Sequence, residues 1–396
     1  SEQGVFDSSL ADFRRGDPMK LGIIGCGVIS RIYVRDLQRL YSDLASVEAV
    51  ANASMDKAKK LAEEFQIPVV CGVDELLERR DIELVINLTP PKFHTEINRR
   101  ILNAGKHVFC EKPFALSVEE AKEIFTLAES KGLYAGSAPD TFLGSAMTTC
   151  RKLLQDGWIG KPLYVTANMM TSGVETWHPS PEPFYSEGGG PVYDMGAYYL
   201  TVLVSMFGPV KRLISLQGKG FDQREIYNGP RKGEIVDVQV PTYYAVLMEM
   251  ENGVRVNMNF SFDIWKSSLP LFEVYGTEGT MMVPDPNHHG GVPKIYRKEQ
   301  KLAACMGGDD HGNGEAFAMP EVAQDVGEYV RGLGVAEMVR AIQEHRPAAV
   351  GKEMTLHVLD VLTGILKSGE SQTWYEVGHV GDKCMDTIRT GQTSAE

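Results

Sequence analysis

Between residues 20 and 138, short apolar runs alternate with segments whose apolar positions recur every three or four residues. Residues 20–25, 46–53, 69–71, 84–88, 107–110 and 133–138 read as strands. The intervening 29–41, 57–65, 93–104 and 118–131 read as helices. In one of them Ala58, Leu61, Ala62 and Phe65 trace a single face. Another opens on Ser117 with Glu120 three residues later, a capping box, and stops at Gly132; Gly105 closes the helix before it. Strands alternating with helices in short units predict a parallel, doubly wound sheet.

Beyond about residue 150 the period changes to two. Val254, Val256, Met258, Phe260 and Phe262 alternate with Arg255, Asn257, Asn259 and Ser261, the mark of a strand with one buried face. Residues 164–170, 213–221, 243–250 and 272–276 also read as strands, and Glu251-Asn252-Gly253 reads as a hairpin turn. Helices are predicted near 334–345 and 354–368, and a loop over 301–324, which is rich in glycine and acids. The expected fold is α/β. An arm (1–18) precedes a Rossmann domain (19–141), an α+β domain with an open, mostly antiparallel sheet (142–377) and a tail (378–396).

Composition narrows the partners. The net charge of −13 argues against nucleic acid, whose phosphates need a positive face. It leaves room for a small anionic cofactor held by backbone N–H groups. Six cysteines without a CxxC pair read as reduced thiols of a cytoplasmic protein. The longest apolar run, 197–207, is about half the ~20 residues a membrane span needs. Residues 1–18 lack the apolar stretch of a signal peptide.

The segment from Gly22 to Ser30 is a strand, a glycine turn and a helix start. Gly25 permits the tight turn, Gly27 lets the backbone close on a pyrophosphate, and Ser30 is small enough for close helix–strand packing. Val28 and Ile29 open the helix beside the dinucleotide. The ribose-reading position lies at the end of the second strand, where Asn52 stands without an acid or an arginine. Asn52 can hydrogen-bond a hydroxyl, which favours NAD and leaves NADP open.

Lys112, at the end of the fifth strand, is a candidate base. A lysine has a reference pKa of about 10.4 and works near neutrality only where its cation is disfavoured. Pro113 can fix its geometry. Asp194 and Tyr198, four apart after Gly188-Gly189-Gly190-Pro191, share a helix face on which a carboxylate and a phenol can bind and deprotonate a hydroxyl. His178 and Trp177 lie in a proline-rich loop just before that helix, where they can touch or stack on a sugar. His288, His289, Asp309, Asp310 and His311 show no known ligand spacing, so no metal is expected and these residues read as solvated loops.

At these residues the chain resembles the Gfo/Idh/MocA family, over roughly 19–375. The resemblance rests on Gly25-Cys26-Gly27, on Thr89-Pro90-Pro91 with His94, on Glu111-Lys112-Pro113, and on Gly189-Gly190 followed by Asp194 and Tyr198. Tyr275-Gly276-Thr277-Glu278-Gly279 matches a turn common in the family's second domain. The resemblance implies nicotinamide and substrate in the cleft between two domains. It adds Thr89, Pro90, His94, Glu111, Lys112 and Pro113 to the cofactor site. Lys112, Asp194 and Tyr198 become the catalytic set, and the substrate site takes in Asp140, Trp177 and His178 beside them. Tyr198 stands where the family usually has histidine, and Pro139-Asp140-Thr141-Phe142 departs from the usual Asn or Tyr and Arg. The family's habit also implies a homodimer or homotetramer through the second sheet.

The activity so implied is hydride transfer between NAD, or NADP, and a secondary hydroxyl or ketone of a cyclic sugar or polyol. Two other readings use the same residues. One is an NAD-dependent glycosidase that oxidises, eliminates, hydrates and reduces back. The other is a non-catalytic NAD-binding sensor.

Overall fold

In the computed structural model, residues 17–307, 314–323, 327 and 329–378 are described. The expected arm and tail lie almost wholly outside them, as do Asp309, Asp310, His311 and Cys384. The first half is a succession of β1 (Met19–Ile24), α1 (Val28–Leu40), β2 (Ala45–Ala51), α2 (Met55–Phe65), β3 (Val69–Cys71), α3 (Val73–Glu78), β4 (Leu84–Asn87), α4 (His94–Asn103), β5 (His107–Cys110), α5 (Val118–Ser130) and β6 (Ala135–Ser137). Its strands are all parallel, in the order β3-β2-β1-β4-β5-β6. The order in which strands are added reverses between β1 and β4. Such a sheet opens a crevice at the carboxyl ends of these strands, where ligands bind. Ile23, Leu84, Ile86, Val108 and Phe109 are wholly buried, as strands covered on both faces require.

After α6 (Ser145–Gln155), β7 (Pro162–Met170) and α7 (Glu182–Tyr185) comes α8 (Pro191–Phe207), then β8 (Val210–Gly218), β9 (Gln223–Glu225), β10 (Ile235–Asp237), β11 (Tyr243–Met250), β12 (Arg255–Ser261), β13 (Phe272–Gly276), β14 (Gly279–Met282), β15 (Lys294–Arg297), α9 (Lys298–Met306) and β16 (Phe317–Ala318). The chain closes with α10 (Leu333–Gln343), α11 (Lys352–Ser371) and β17 (Tyr375–Glu376). Among the described residues the second sheet has nine strands, in the order β16-β15-β14-β13-β7-β12-β11-β8-β17. Only β7 and β12 pair in parallel; the other pairs are antiparallel. The alternation from 254 to 260 sorts as expected, with Val256, Met258 and Phe260 inward and Asn257 and Asn259 half-exposed, while Ser261, expected on the polar face, is wholly buried.

The inward face carries α8 and α11. Helix α8 is apolar almost all round because it is buried on most sides. Gly196 is where it meets α11: a Cβ there would lie 2.6 Å from Leu362 Cδ2. The opposite face exposes Tyr164, Leu216 and Leu247.

Two features depart from the pattern reading. Residues 298–306, inside and beside the expected loop, form α9. Gln300 Oε1 accepts the Arg297 N–H at 2.7 Å, and the Lys-Glu-Gln-Leu-Ala composition favours a helix even though none of its residues is buried. The C-terminal helices also return to the first sheet. Ser137 N–H donates to Val350 O at 2.9 Å, Gly334 abuts Phe109, and Leu356 and Leu359 join the core around β4 and β5. A cut at residue 142 therefore separates α10 from the sheet it covers.

Candidate active site

The glycine turn follows from backbone geometry. Gly25 has φ +106° and a Cβ on it would sit 2.5 Å from the Leu88 carbonyl, so only glycine fits. Gly27 is different. It begins α1 with ordinary extended angles, and a Cβ on it would meet no atom within 4 Å. Internal packing therefore places no demand on Gly27. The first turn of α1 holds no acid and has no side-chain cap, so its N–H groups and helix dipole suit a pyrophosphate. These residues fit a dinucleotide. Val28 is the exposed first residue of that helix, and Ile29 is half-buried behind it.

Asn52 serves the turn. Its Oδ1 accepts the Cys26 N–H at 3.1 Å and its Nδ2 donates to Ser54 O at 3.1 Å. One amide hydrogen and one lone pair are left for a ribose hydroxyl. Thr89, half-buried, donates from N and Oγ1 to Asn87 Oδ1, and Pro90 is exposed at the same mouth. His94 departs from its expected cofactor contact. It is 1% exposed, with Nδ1 2.6 Å from Pro113 O and Nε2 2.6 Å from Thr89 O. It is a strut between the loops that follow β4 and β5.

Lys112 follows β5 by two residues. Glu111 N–H extends the sheet to Asn87 O at 3.0 Å, and Glu111 Oε2 accepts the Lys112 N–H at 2.9 Å. The Lys112–Pro113 bond is cis. Lys112 Nζ then crosses to α8, donating to Asp194 O at 2.6 Å and standing 3.4 Å from Asp194 Oδ1. It lies 5.5 Å from the centre of the Tyr198 ring. Lys112 also lines an apolar crevice with Phe114, Pro139, Tyr193, Met354 and Val358. One turn of α8 after Asp194, Tyr198 is 6% exposed. Burial pushes its phenol far above the usual range, while Arg331 pulls it back.

Arg331 carries no motif, and sequence reasoning missed it. It lies just ahead of α10, far along the chain from Lys112. Its Nη2 is 3.3 Å from Tyr198 Oη, and its Nε is 3.9 Å from Glu111 Oε1. Tyr33 of α1 donates to that same Glu111 oxygen at 2.8 Å.

Asp140, expected in the substrate site, is buried in the structure. It is 1% exposed, with Oδ1 3.0 Å from His289 Nε2 and Oδ2 accepting the Gly334 N–H at 2.7 Å. His289, expected in a solvated loop, is wholly buried by this pairing. Burial raises the proton affinity of Asp140, but His289, Arg331 and the Gly334 N–H outweigh it and hold the carboxyl below its ordinary value. Trp177 is exposed and His178 half-buried. The His178 ring meets Trp177 at 5.4 Å and Phe184 at 5.3 Å, and Phe184 O accepts the Gly190 N–H at the start of α8. The structure thus gathers Lys112, Asp194 and Tyr198, and sets Trp177 and His178 on a shelf leading to the same helix. Among the described residues, no group of three or more His, Cys, Asp and Glu is placed to hold a metal ion.

Two outcomes follow from this geometry. Gly27→Ala is expected to keep the wild-type melting temperature and to weaken dinucleotide binding by about tenfold or more, read by calorimetric titration. Unchanged affinity would remove the turn from the cofactor site. The ionised Asp140 stabilises the fold, because folding lowers its proton affinity. This contribution is complete above the unfolded value of about 3.9 and is lost as pH falls through the lower folded value. Asp140→Asn should therefore cost about 3–5 kcal/mol at neutral pH, with a smaller deficit at about pH 3, in urea titrations. A deficit independent of pH would show that the charge of Asp140 does not stabilise the fold.

Comparison with known proteins agrees with the geometry. Residues 19–137 match the oxidoreductase family model with an NAD-binding Rossmann fold, and 147–282 match the GFO/IDH/MocA C-terminal domain. The dTDP-3,4-didehydro-2,6-dideoxy-alpha-D-glucose 3-reductase of Saccharopolyspora spinosa is 27% identical, over 83% of this chain and 98% of its own. The trans-1,2-dihydrobenzene-1,2-diol dehydrogenase of Mus musculus is 27% identical over 67% and 74%. An oxidoreductase from Agrobacterium radiobacter, solved with NAD+, L-tartaric acid and magnesium, shares the fold at a TM-score of 0.71 and 14% identity, covering 90% of this chain and 98% of its own. With both halves matched in order and the glycine turn and Glu111-Lys112-Pro113 corner in place, the chain belongs to the Gfo/Idh/MocA family of NAD(P)-dependent oxidoreductases.

Proposed function

We propose that this oxidoreductase moves a hydride between nicotinamide and a secondary carbinol or carbonyl carbon of a cyclic sugar or polyol. The observation that carries the reading is the junction of Lys112, Asp194 and Tyr198. An ammonium from the corner after β5 meets a carboxylate and a phenol from helix α8, which packs on the second sheet. Two relatives support the substrate class: one is named for a keto-sugar nucleotide, the other for a cyclic diol.

Bound nicotinamide supplies or accepts the hydride. The protein's part is to hold the substrate oxygen and move its proton. Lys112 and Asp194 bind and orient vicinal hydroxyls, the ammonium as donor and the carboxylate as acceptor. Tyr198 exchanges the proton at the reacting oxygen. Burial keeps its phenol protonated, which suits donation to a developing alkoxide in the reducing direction. NAD is the preferred carrier in this reading, since Asn52-Ala53-Ser54 offers no cation to a 2′-phosphate. Trp177 and His178 extend the substrate site along the shelf. The exposed sheet face bearing Tyr164, Leu216 and Leu247 is the proposed subunit contact.

The test is a panel of cyclic sugars, polyols and their ketones with each dinucleotide, followed by absorbance of the reduced nicotinamide. Lys112→Ala should lower turnover by about 100-fold or more while NAD affinity stays within a few-fold. Loss of NAD affinity instead would make Lys112 a cofactor ligand. Nitrophenol release from nitrophenyl glycosides, dependent on NAD but without net reduction, would replace the reading with the glycosidase.

A further inference from the structure

We infer that Arg331 is the residue that positions the Tyr198 phenol and stabilises its anion when the proton leaves. This rests on the hydride transfer proposed above and places a further cation beside the phenol of the same site. Tyr198 is nearly sealed from water, and a bare phenolate there would be strongly disfavoured. Arg331 Nη2 stands 3.3 Å from the phenol oxygen. The guanidinium is itself held in place. Its backbone N–H donates to the buried Asp36 at 2.9 Å, its Nη2 also reaches Tyr329 Oη at 3.2 Å, and Glu111 lies 3.9 Å from its Nε. It therefore ties together α1, the corner after β5 and α8, the three pieces whose relative placement the chemistry needs.

Every charge near the phenol can be assigned a sign. Arg331 and Lys112 favour the anion. Glu111, the Asp194 carboxylate one turn away on α8 and the Tyr329 phenol oppose it. Of the two cations, Arg331 lies at the phenol oxygen, while Lys112 is bonded to Asp194 and lies over the ring face.

In the reducing direction the substrate carbonyl carbon gains a hydride with its electron pair from the dihydronicotinamide, and the C=O π pair moves to oxygen. That oxygen takes the proton from Tyr198 Oη. The phenol O–H bond breaks, the nicotinamide is left oxidised, and the phenolate remains against Arg331 until solvent reprotonates it. Oxidation runs the same path backwards.

The experiment uses the full chain with 3-fluorotyrosine at position 198 and follows its fluorine resonance through a pH titration. Arg331→Met should raise the titration midpoint by about 1–3 pH units, and Arg331→Lys by less. Glu111→Gln should lower it. With the substrate found in the panel, Arg331→Met should lower kcat with little change in KM, and Arg331→Lys should recover part of it. An unchanged or lowered midpoint in folded Arg331→Met overturns the inference. If that variant does not fold, an unchanged midpoint in both Arg331→Lys and Glu111→Gln does so. The resonance needs no substrate. A silent panel would therefore sink the hydride reading while the midpoints still decide this one, and an active enzyme with unmoved midpoints would sink this one alone.

Discussion

One ammonium holds the two halves of the site together. Lys112 extends from the first sheet and ends on Asp194 of the helix that crosses the second. The contact exists because a parallel sheet delivers Lys112 to the carboxyl end of β5 and because the glycines before α8 let that helix begin there. Gly190 sits at φ +95°, a conformation open to glycine, and its carbonyl accepts the Asp194 N–H. The packing of α8 on α11, so close at Gly196 that a methyl group would have to push Leu362 aside, then fixes where Asp194 and Tyr198 point.

Around that contact the protein sorts polar groups by depth. The open members, Lys112 and Asp194, keep about a fifth to a quarter of their side-chain surface exposed, which suits the hydroxyl-binding role proposed for them. The sealed members, Tyr198, Arg331, Asp140, His289 and His94, are 6% exposed or less and each has a polar neighbour within hydrogen-bonding distance. The sealed group also spans both halves: Asp140 at the end of the first sheet engages His289, beyond β14, and the N-terminal turn of α10. Behind Tyr198, the one sealed residue proposed to meet the substrate, the others form a buried frame.

What was legible in the sequence follows from which forces act locally. The Rossmann order, the glycine turn, the period-two strand at 254–262 and the spacing of Asp194 and Tyr198 are all written in stretches of a few residues, where periodicity and glycine placement speak directly. The Glu-Lys-Pro corner, with its family resemblance, marked the lysine. The rest depends on pairs distant in the chain. Nothing beside Asp140 announces His289, and nothing in Tyr329-Val330-Arg331 announces Tyr198. Asp140 and His94 are polar residues next to functional ones, so local reading put them in the cleft; burial and paired carbonyl or imidazole partners place them inside. Asn52 was legible as a hydrogen-bonding residue, but its hold on the Cys26 N–H is visible only once the turn is folded over it.

A crystal structure of the chain with NAD bound decides whether the cofactor joins the two halves at Lys112. The pyrophosphate is expected against Gly27 and the start of α1, and the nicotinamide C4 beside Lys112 with the Tyr198 oxygen within about 3–5 Å of a substrate-sized space above it. A nicotinamide ring turned away from Lys112 and Tyr198, or a pyrophosphate bound elsewhere, would contradict it.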